Sequence, residues 1–393
     1  MESFIVIMNS SVPPDNYSMI SGQNYSEIRD LYKEPPWIQA IYGLLFTLVT
    51  VLGVGGNSIV CYIVLGHARM RTVTNYSIVN LAVSDILMAV MCVNFSFYAA
   101  MYMTWPFGEF MCKAVSYIQS VSVSVSIFTL VSISVDRYIA ICHPLVLRMG
   151  SSQALAVIAV IWVVACVVAL PSLIFSTVGV EGDSTFCSES NWEQSKIYTY
   201  VLMGIQYFVP LCVLAVAYGR IGYVIWSRRT PGETQASRDK RINESKTKLV
   251  KMFAMVVLLF ALCYLPIHSF NILQEVYENV LYYRYIKLVY LTVLLAAMSN
   301  CVYNPFIYCW MNAKFRNGFR HVFRFLPCVH YDNQWKVIAH LERGNTAMTQ
   351  LTTSPSRRLR SGPSDAKHCW PEHCYESLSN GDGSPLRNKV VAV

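Results

Sequence analysis

The sequence predicts an all-α membrane protein, a bundle of seven transmembrane helices followed by a short amphipathic eighth helix. Three observations predict it. Of 393 residues, 54% are hydrophobic and only 14% charged, whereas soluble domains carry roughly 25% charge. A larger apolar core cannot account for the difference, because a soluble protein of this size still needs a charged shell. Seven apolar stretches each reach the ~20 residues that cross about 30 Å of hydrocarbon as a helix. Finally, basic residues gather in alternate connections, which fixes one orientation across a bilayer.

In chain order, residues 1–36 form a polar tail rich in Ser, Asn and Pro, with the composition of a disordered segment. Its apolar patch Phe4–Met8 has no basic flank or cleavage site, so the first long helix is expected to act as the membrane signal. The bundle occupies 37–311, with spans expected at Ile38–Leu65, Val73–Met101, Met111–Ile141, Ala154–Phe175, Ile197–Trp226, Leu249–Leu273 and Tyr285–Trp310. An amphipathic membrane-surface helix is expected over 312–328. Phe315, Phe319, Val322, Phe323 and Leu326 recur there at helical spacing, with Lys314, Arg316, Arg320 and Arg324 between them to meet anionic lipid. Residues 329–393 read as a disordered cytoplasmic tail.

Orientation follows from the loops. Arg69 and Arg71 lie between spans one and two, and Arg228, Arg229, Arg238, Lys240, Arg241, Lys246 and Lys248 between spans five and six. The opposite side carries Glu181, Asp183, Glu189 and Glu193 against Lys196. The amino terminus is therefore outside and the carboxyl terminus in the cytoplasm, as in a multi-pass plasma-membrane protein. Asn9, Asn16 and Asn24 head Asn-X-Ser triplets on the glycosylated side. Such triplets also arise by chance, as at Asn75, Asn94 and Asn243.

Most of the 13 cysteines stand singly in apolar runs and read as small buried hydrophobes. Cys112 opens span three, and Cys187 is the only cysteine between spans four and five. Both face the oxidising side, which indicates a disulfide tying that loop over the bundle. Cys328, just past the amphipathic stretch, is either a palmitoylation site or a free thiol. No zinc spacing and no Gly-rich phosphate loop is present, and nothing points to nucleic acid. The catalytic clusters of a membrane enzyme and the inverted repeats of a seven-helix transporter are also missing.

Polar residues inside a span are costly and need a reason. Here they form an ordered series. Span one has Gly56-Asn57-Ser58, span two has Asn80 to Asp85, and span three ends in Asp136-Arg137-Tyr138. Trp162 marks span four, Pro210 and Tyr218 span five, and Phe260 with Cys263-Tyr264-Leu265-Pro266 span six; Asn304-Pro305-Phe306-Ile307-Tyr308 closes span seven. This series resembles the rhodopsin-like G-protein-coupled receptors across about residues 38–328. A buried Asp85 calls for polar neighbours, expected in Asn57, Ser126, Asn300 and Asn304. In such receptors that cluster holds a sodium ion, the only cofactor the resemblance implies; the alternative is a protonated Asp85 that serves packing alone. The resemblance also implies that Asp136 holds Arg137 at rest and that Arg137 meets a heterotrimeric G protein when active. Arg137 should lie about 37 Å below Cys112, at the cytoplasmic rim. Pro266 and Pro305 each remove a backbone hydrogen bond, and a kinked span six can swing its cytoplasmic end. The cytoplasmic end of span six offers Lys246 instead of an acid as a second clasp on Arg137.

The residues of the outer half suggest the ligand. Leu291–Tyr308 contains no lysine, and Lys287 lies too near the outer mouth for a retinal Schiff base. Where amine receptors carry an aspartate, span three has Gln119, neutral and able to donate and accept. A glutamine there, with Trp105-Pro106-Phe107-Gly108 and Tyr303-Asn304-Pro305, resembles the neuropeptide Y, neuropeptide FF and orexin receptors and the RYamide, leucokinin and tachykinin-type receptors. The resemblance implies that Gln119 meets the amidated end of a peptide; bonding only to bundle neighbours is the bland reading. Glu275, about 13 Å further out than Pro266, matches the acid that takes a guanidinium in receptors for Arg-Phe-amide and Arg-Tyr-amide peptides, or is simply solvated. His268, Asn271, Ser96, Tyr98, Phe95 and Tyr290 are expected to wall the cavity. Tyr264 stands where the family usually has Trp. The expected partners are therefore a peptide outside, a G protein inside, membrane lipid, and arrestin and receptor kinases at the Ser/Thr-rich tail. A small molecule or lipid is the alternative ligand.

Overall fold

The structure is a computed structural model that describes residues 33–147, 149–181, 184–189, 195–227, 237–277 and 285–325. Seven helical segments among these are long and apolar enough to cross a membrane. Span one is α1 (Pro36–Gly66). Span two is α2 (Val73–Met91) continued after a break at Cys92 by α3 (Val93–Tyr102), and span three is α4 (Gly108–Cys142). Span four is α5 (Ser151–Phe175). Span five joins α6 (Ser195–Met203) to α7 (Val209–Ser227) through a wide π-turn at Gly204–Phe208. Span six is the membrane part, Thr247–Gln274, of α8 (Ser237–Val276), and span seven is α9 (Ile286–Met311).

The helix ends have local causes. Pro36 opens α1, where a missing N–H costs nothing. The Thr72 hydroxyl caps α2 by accepting from the Asn75 N–H, and Gln153 accepts the Gly150 N–H at the start of α5. Span three touches spans two, four, five and six, while span seven touches one, two and six. Burial is the reverse of a soluble protein: Asn57, Asn80, Ser84 and Asp85 are buried, whereas Val160, Val163 and Val167 are each about three-fifths exposed on span four. Hydrocarbon replaces water as their solvent.

Outside the bundle, the loop after span four forms an antiparallel hairpin of β1 (Ser176–Glu181) and β2 (Ser184–Glu189). The Cys112–Cys187 disulfide fastens β2 to span three, with Cα atoms 5.6 Å apart. Trp105 fastens it a second time. Its N–H donates to the Thr185 carbonyl at 2.7 Å, and the Thr185 hydroxyl returns a bond to the Trp105 carbonyl at 2.7 Å. The indole N–H donates to Gly108, whose φ of +78° tolerates no side chain cheaply.

Inside, α10 (Ala313–Val322) follows span seven after the Asn312 cap, with Arg320 and His321 in its last turn. This helix is shorter than the 312–328 expected. It gives way to a turn over Phe323–Phe325, the last described residues of this segment. Phe315 and Gly318 face inward, and a Cβ on Gly318 would come within 2.8 Å of Ile63 on span one. Gly318→Val should therefore push α10 off span one and cost ~1–3 kcal/mol. A lower thermal unfolding midpoint in detergent is the expected readout, and an unchanged midpoint would show that α10 docks with slack.

Candidate ligand cavity and cytoplasmic switch

In the outer half, the break at Cys92 turns α3 so that Ser96 reaches span three, where its hydroxyl donates to Gln119 Oε1 at 3.4 Å. Above them, Phe95 and Tyr98 pack their rings on Phe107 at 4.9 and 5.1 Å. Tyr290 is buried against Phe270 at 5.6 Å. His268 lies 4.5 Å from the Tyr207 ring and 6.2 Å from Tyr264, which rests 4.7 Å from Phe260. An aromatic column of Tyr207, His268, Tyr264 and Phe260 thus links spans five and six. Asn271 is half-buried on the same span. Glu275 belongs to α8, but its side chain lies outside the described residues, as do Asn9, Asn16, Asn24, Lys246 and Cys328.

The structure adds two residues that reach span three and span six from span five. The π-turn in span five aims Gln206 at span three, where its amide donates to Ser124 Oγ at 2.9 Å and to Ser120 Oγ at 3.1 Å. Tyr207, on the same turn, donates to the Ala261 carbonyl of span six at 2.9 Å. A glutamine inside an apolar span is a visible signal; the extra residue in the turn that points it inward is not.

At mid-bundle, Asn304 donates to Asp85 Oδ2 at 2.7 Å and joins spans seven and two. Ser126 bonds to Ser84 at 3.0 Å, and Asn57 donates to the Gly53 and Cys301 carbonyls at 2.9 and 2.8 Å. Of the four neighbours expected for Asp85, Asn304 makes a direct bond to the carboxylate. Asn300 is buried on the same span as Asn304. A second chain ties spans four, two and three: the Trp162 indole N–H donates to Asn80 Oδ1 at 2.7 Å, and Asn80 Nδ2 donates to Thr129 Oγ1 at 2.7 Å.

At the cytoplasmic end, Arg137 pairs with the neighbouring Asp136 carboxylate. The same guanidinium donates to Thr74 Oγ1 on span two at 2.7 Å. Tyr138 stands apart from this clasp, its ring edge-on to His143 at 5.5 Å. Tyr308 is fully buried, 5.6 Å from Phe315 of α10. The hydroxyls of Tyr218 and Tyr308 are both buried without a hydrogen-bond partner. Next to the clasp, Leu145 and Leu147 are almost fully exposed on the cytoplasmic side.

Comparisons with known proteins agree with this arrangement. The family described as "7 transmembrane receptor (rhodopsin family)" matches residues 56–308. The RYamide receptor of Tribolium castaneum is 41% identical over 313 residues, which cover 76% of this chain and 84% of that protein. The RYamide receptor of Drosophila melanogaster is 40% identical, covering 95% of this chain and 84% of its own. The substance-K receptor of Homo sapiens is 39% identical, covering 76% of each chain.

The Trp162–Asn80–Thr129 chain can be tested without a ligand. Trp162→Phe keeps a ring but leaves Asn80 Oδ1 without its donor, at a cost of ~1–3 kcal/mol. The expected result is a lower unfolding midpoint in detergent. Equal midpoints for Trp162→Phe and the parent would mean that the bond contributes nothing net.

Proposed function

Since this chain belongs to the seven-transmembrane receptors of the rhodopsin family, we propose that it is a plasma-membrane receptor for an amidated peptide and switches on a heterotrimeric G protein. The relatives named for RYamide and substance K support a peptide ligand. One observation carries the reading: Gln119, bonded across to Ser96 of span two, and the clasped Arg137 lie in the outer and inner halves of the same helix.

The peptide's amide end meets Gln119, which both donates and accepts. Closure of the cavity presses on His268 and Tyr264, and span six pivots at Pro266, where a backbone hydrogen bond is missing. Its cytoplasmic end then moves out and Arg137 exchanges Asp136 and Thr74 for the G protein. The buried hydroxyls of Tyr218 and Tyr308, which make no hydrogen bond to other protein groups here, are placed to take partners when span six moves.

Oxygen donors at mid-bundle fit a sodium ion. The Asp85 carboxylate, the Ser126 hydroxyl and the Asn57 carbonyl oxygen would hold it, the last of these buried with no hydrogen-bond partner. When bound, the ion supplies a positive charge that stabilises ionised Asp85. The tails complete the assignment, with glycans on Asn9, Asn16 and Asn24, palmitate on Cys328, and phosphates that recruit arrestin after receptor kinases act on the Ser/Thr-rich tail.

Cells expressing the chain, read for calcium and cAMP against a panel of amidated peptides, test the assignment. Response to lipids or amines with none to any peptide would replace it. Glu275→Gln should weaken peptides ending in Arg-Tyr-amide or Arg-Phe-amide about tenfold, and citrulline analogues much less. Equal loss for both sets removes Glu275 from binding. Thr74→Val takes one charge-assisted bond from Arg137 and should raise agonist-free nucleotide exchange by up to about tenfold; unchanged basal exchange would leave Asp136 as the sole clasp.

A further inference from the structure

A cavity of about 590 Å³ lies between the inner halves of spans three and four, with Val146 and Leu147 of the connecting loop in its lining. Its walls are apolar: Phe128, Val131 and Val135 on span three stand against Val157 and Ile161 on span four. Phe128 lies about 12 Å deeper in the bilayer than Asp136, most of the ~15 Å depth of one hydrocarbon leaflet. Val135, Val146 and Leu147 are each exposed, so the cavity opens outward at the height of the inner leaflet. Polar groups gather toward the cytoplasmic rim, in Ser132, Asp136 and Gln153. Both bonds that Arg137 makes to Asp136 go to Oδ2, and Oδ1 accepts none among the described residues. Gln153 Oε1 accepts the Gly150 N–H at 2.9 Å, which leaves the amide nitrogen to donate elsewhere. The rim therefore offers a carboxylate oxygen to a hydrogen-bonding cation and an amide N–H to an anion.

We propose that this cavity holds an aminophospholipid of the inner leaflet. One acyl chain lies between Phe128 and Ile161, the ammonium donates to Asp136 Oδ1, and the phosphate accepts from the Gln153 amide. An apolar trough at hydrocarbon depth suits the chain, and a headgroup with neighbouring cation and anion suits the rim. A choline headgroup has no N–H, so it forgoes the charge-assisted bond to Asp136. The lipid also reaches the switch. Its ammonium shares the carboxylate that holds Arg137, and two cations on one carboxylate repel each other. Occupancy should therefore loosen the clasp. That consequence rests on the receptor reading above, whereas the binding site itself does not.

The test uses the full-length chain in phosphatidylcholine nanodiscs doped with a phosphatidylethanolamine whose acyl chain carries a photoreactive group. A phosphatidylcholine with the same chain is the control. The ethanolamine lipid should label residues 128–139 and 157–161 about tenfold more than the choline lipid. Asp136→Asn should bring that ratio toward one, and Val157→Trp, which fills the trough, should cut labelling by both lipids. If Val157→Trp fails to fold, the two lipids on the parent still decide. Equal labelling by both lipids overturns the site. So does labelling spread evenly over all seven spans, or a folded Val157→Trp that labels like the parent. Agonist-free nucleotide exchange in the same discs reads the action on the clasp. Unmodified ethanolamine lipid should raise it about threefold over pure choline discs, and Val157→Trp should abolish the rise. A labelled cavity with unchanged exchange, on a heterotrimer that a peptide does stimulate, overturns the action on Arg137. Failure of every peptide on every heterotrimer overturns the receptor reading and leaves the lipid site standing.

Discussion

Everything in this bundle follows from the cost of leaving a polar group unpaired where hydrocarbon surrounds the protein. Lipid is as apolar as leucine, so apolar contact gives helices little reason to prefer one another over the bilayer. Position is set instead by polar groups that have only each other. Asn304 and Asp85 join spans seven and two, Trp162, Asn80 and Thr129 join four, two and three, and Asn57 reaches the Cys301 carbonyl from span one. The exposed valines of span four make no such choices.

Because these links cluster at mid-bundle, the two ends of the molecule are held differently. The outer end is fastened by covalent and backbone bonds: the Cys112–Cys187 disulfide and the paired bonds between Trp105 and Thr185 keep the hairpin in place. That rigidity suits a cavity that must present a fixed shape. The inner end, among the described residues, is held by exchangeable side-chain contacts such as Arg137 on Asp136 and Thr74 and Tyr308 on Phe315. Such contacts can be exchanged without unfolding a helix, and Pro266 places the pivot between the two regimes.

Much of the fold was legible because hydrocarbon thickness imposes a length. Each span lies within three residues of its expected ends. The discrepancies are mostly extensions, such as Gly108 for Met111 and Ser151 for Ala154, since helical hydrogen bonds need not stop where the apolar window does. The break at Cys92 left no signal, as it contains no proline, and Pro210 beside the π-turn at Gly204–Phe208 marked span five without specifying an extra residue there. The hairpin was hidden for another reason. Its strands are short and polar, and it depends on a disulfide and on Trp105, far away in sequence.

The site divides along the same line. Composition and the placement of charge were enough to indicate a seven-span membrane protein, its orientation, its disulfide and several of its costly buried residues (though not Gln206 or Lys287), because each reflects a local rule of solvation or redox compartment. Only the tertiary structure decided which of those residues pair. Asp85 takes Asn304, Ser126 takes Ser84, Gln206 turns to Ser120 and Ser124, and Lys287 shares a cavity with Glu34. A sequence specifies which groups need a partner, but partnership is a matter of distance across helices, and distance is fixed only when all seven pack together.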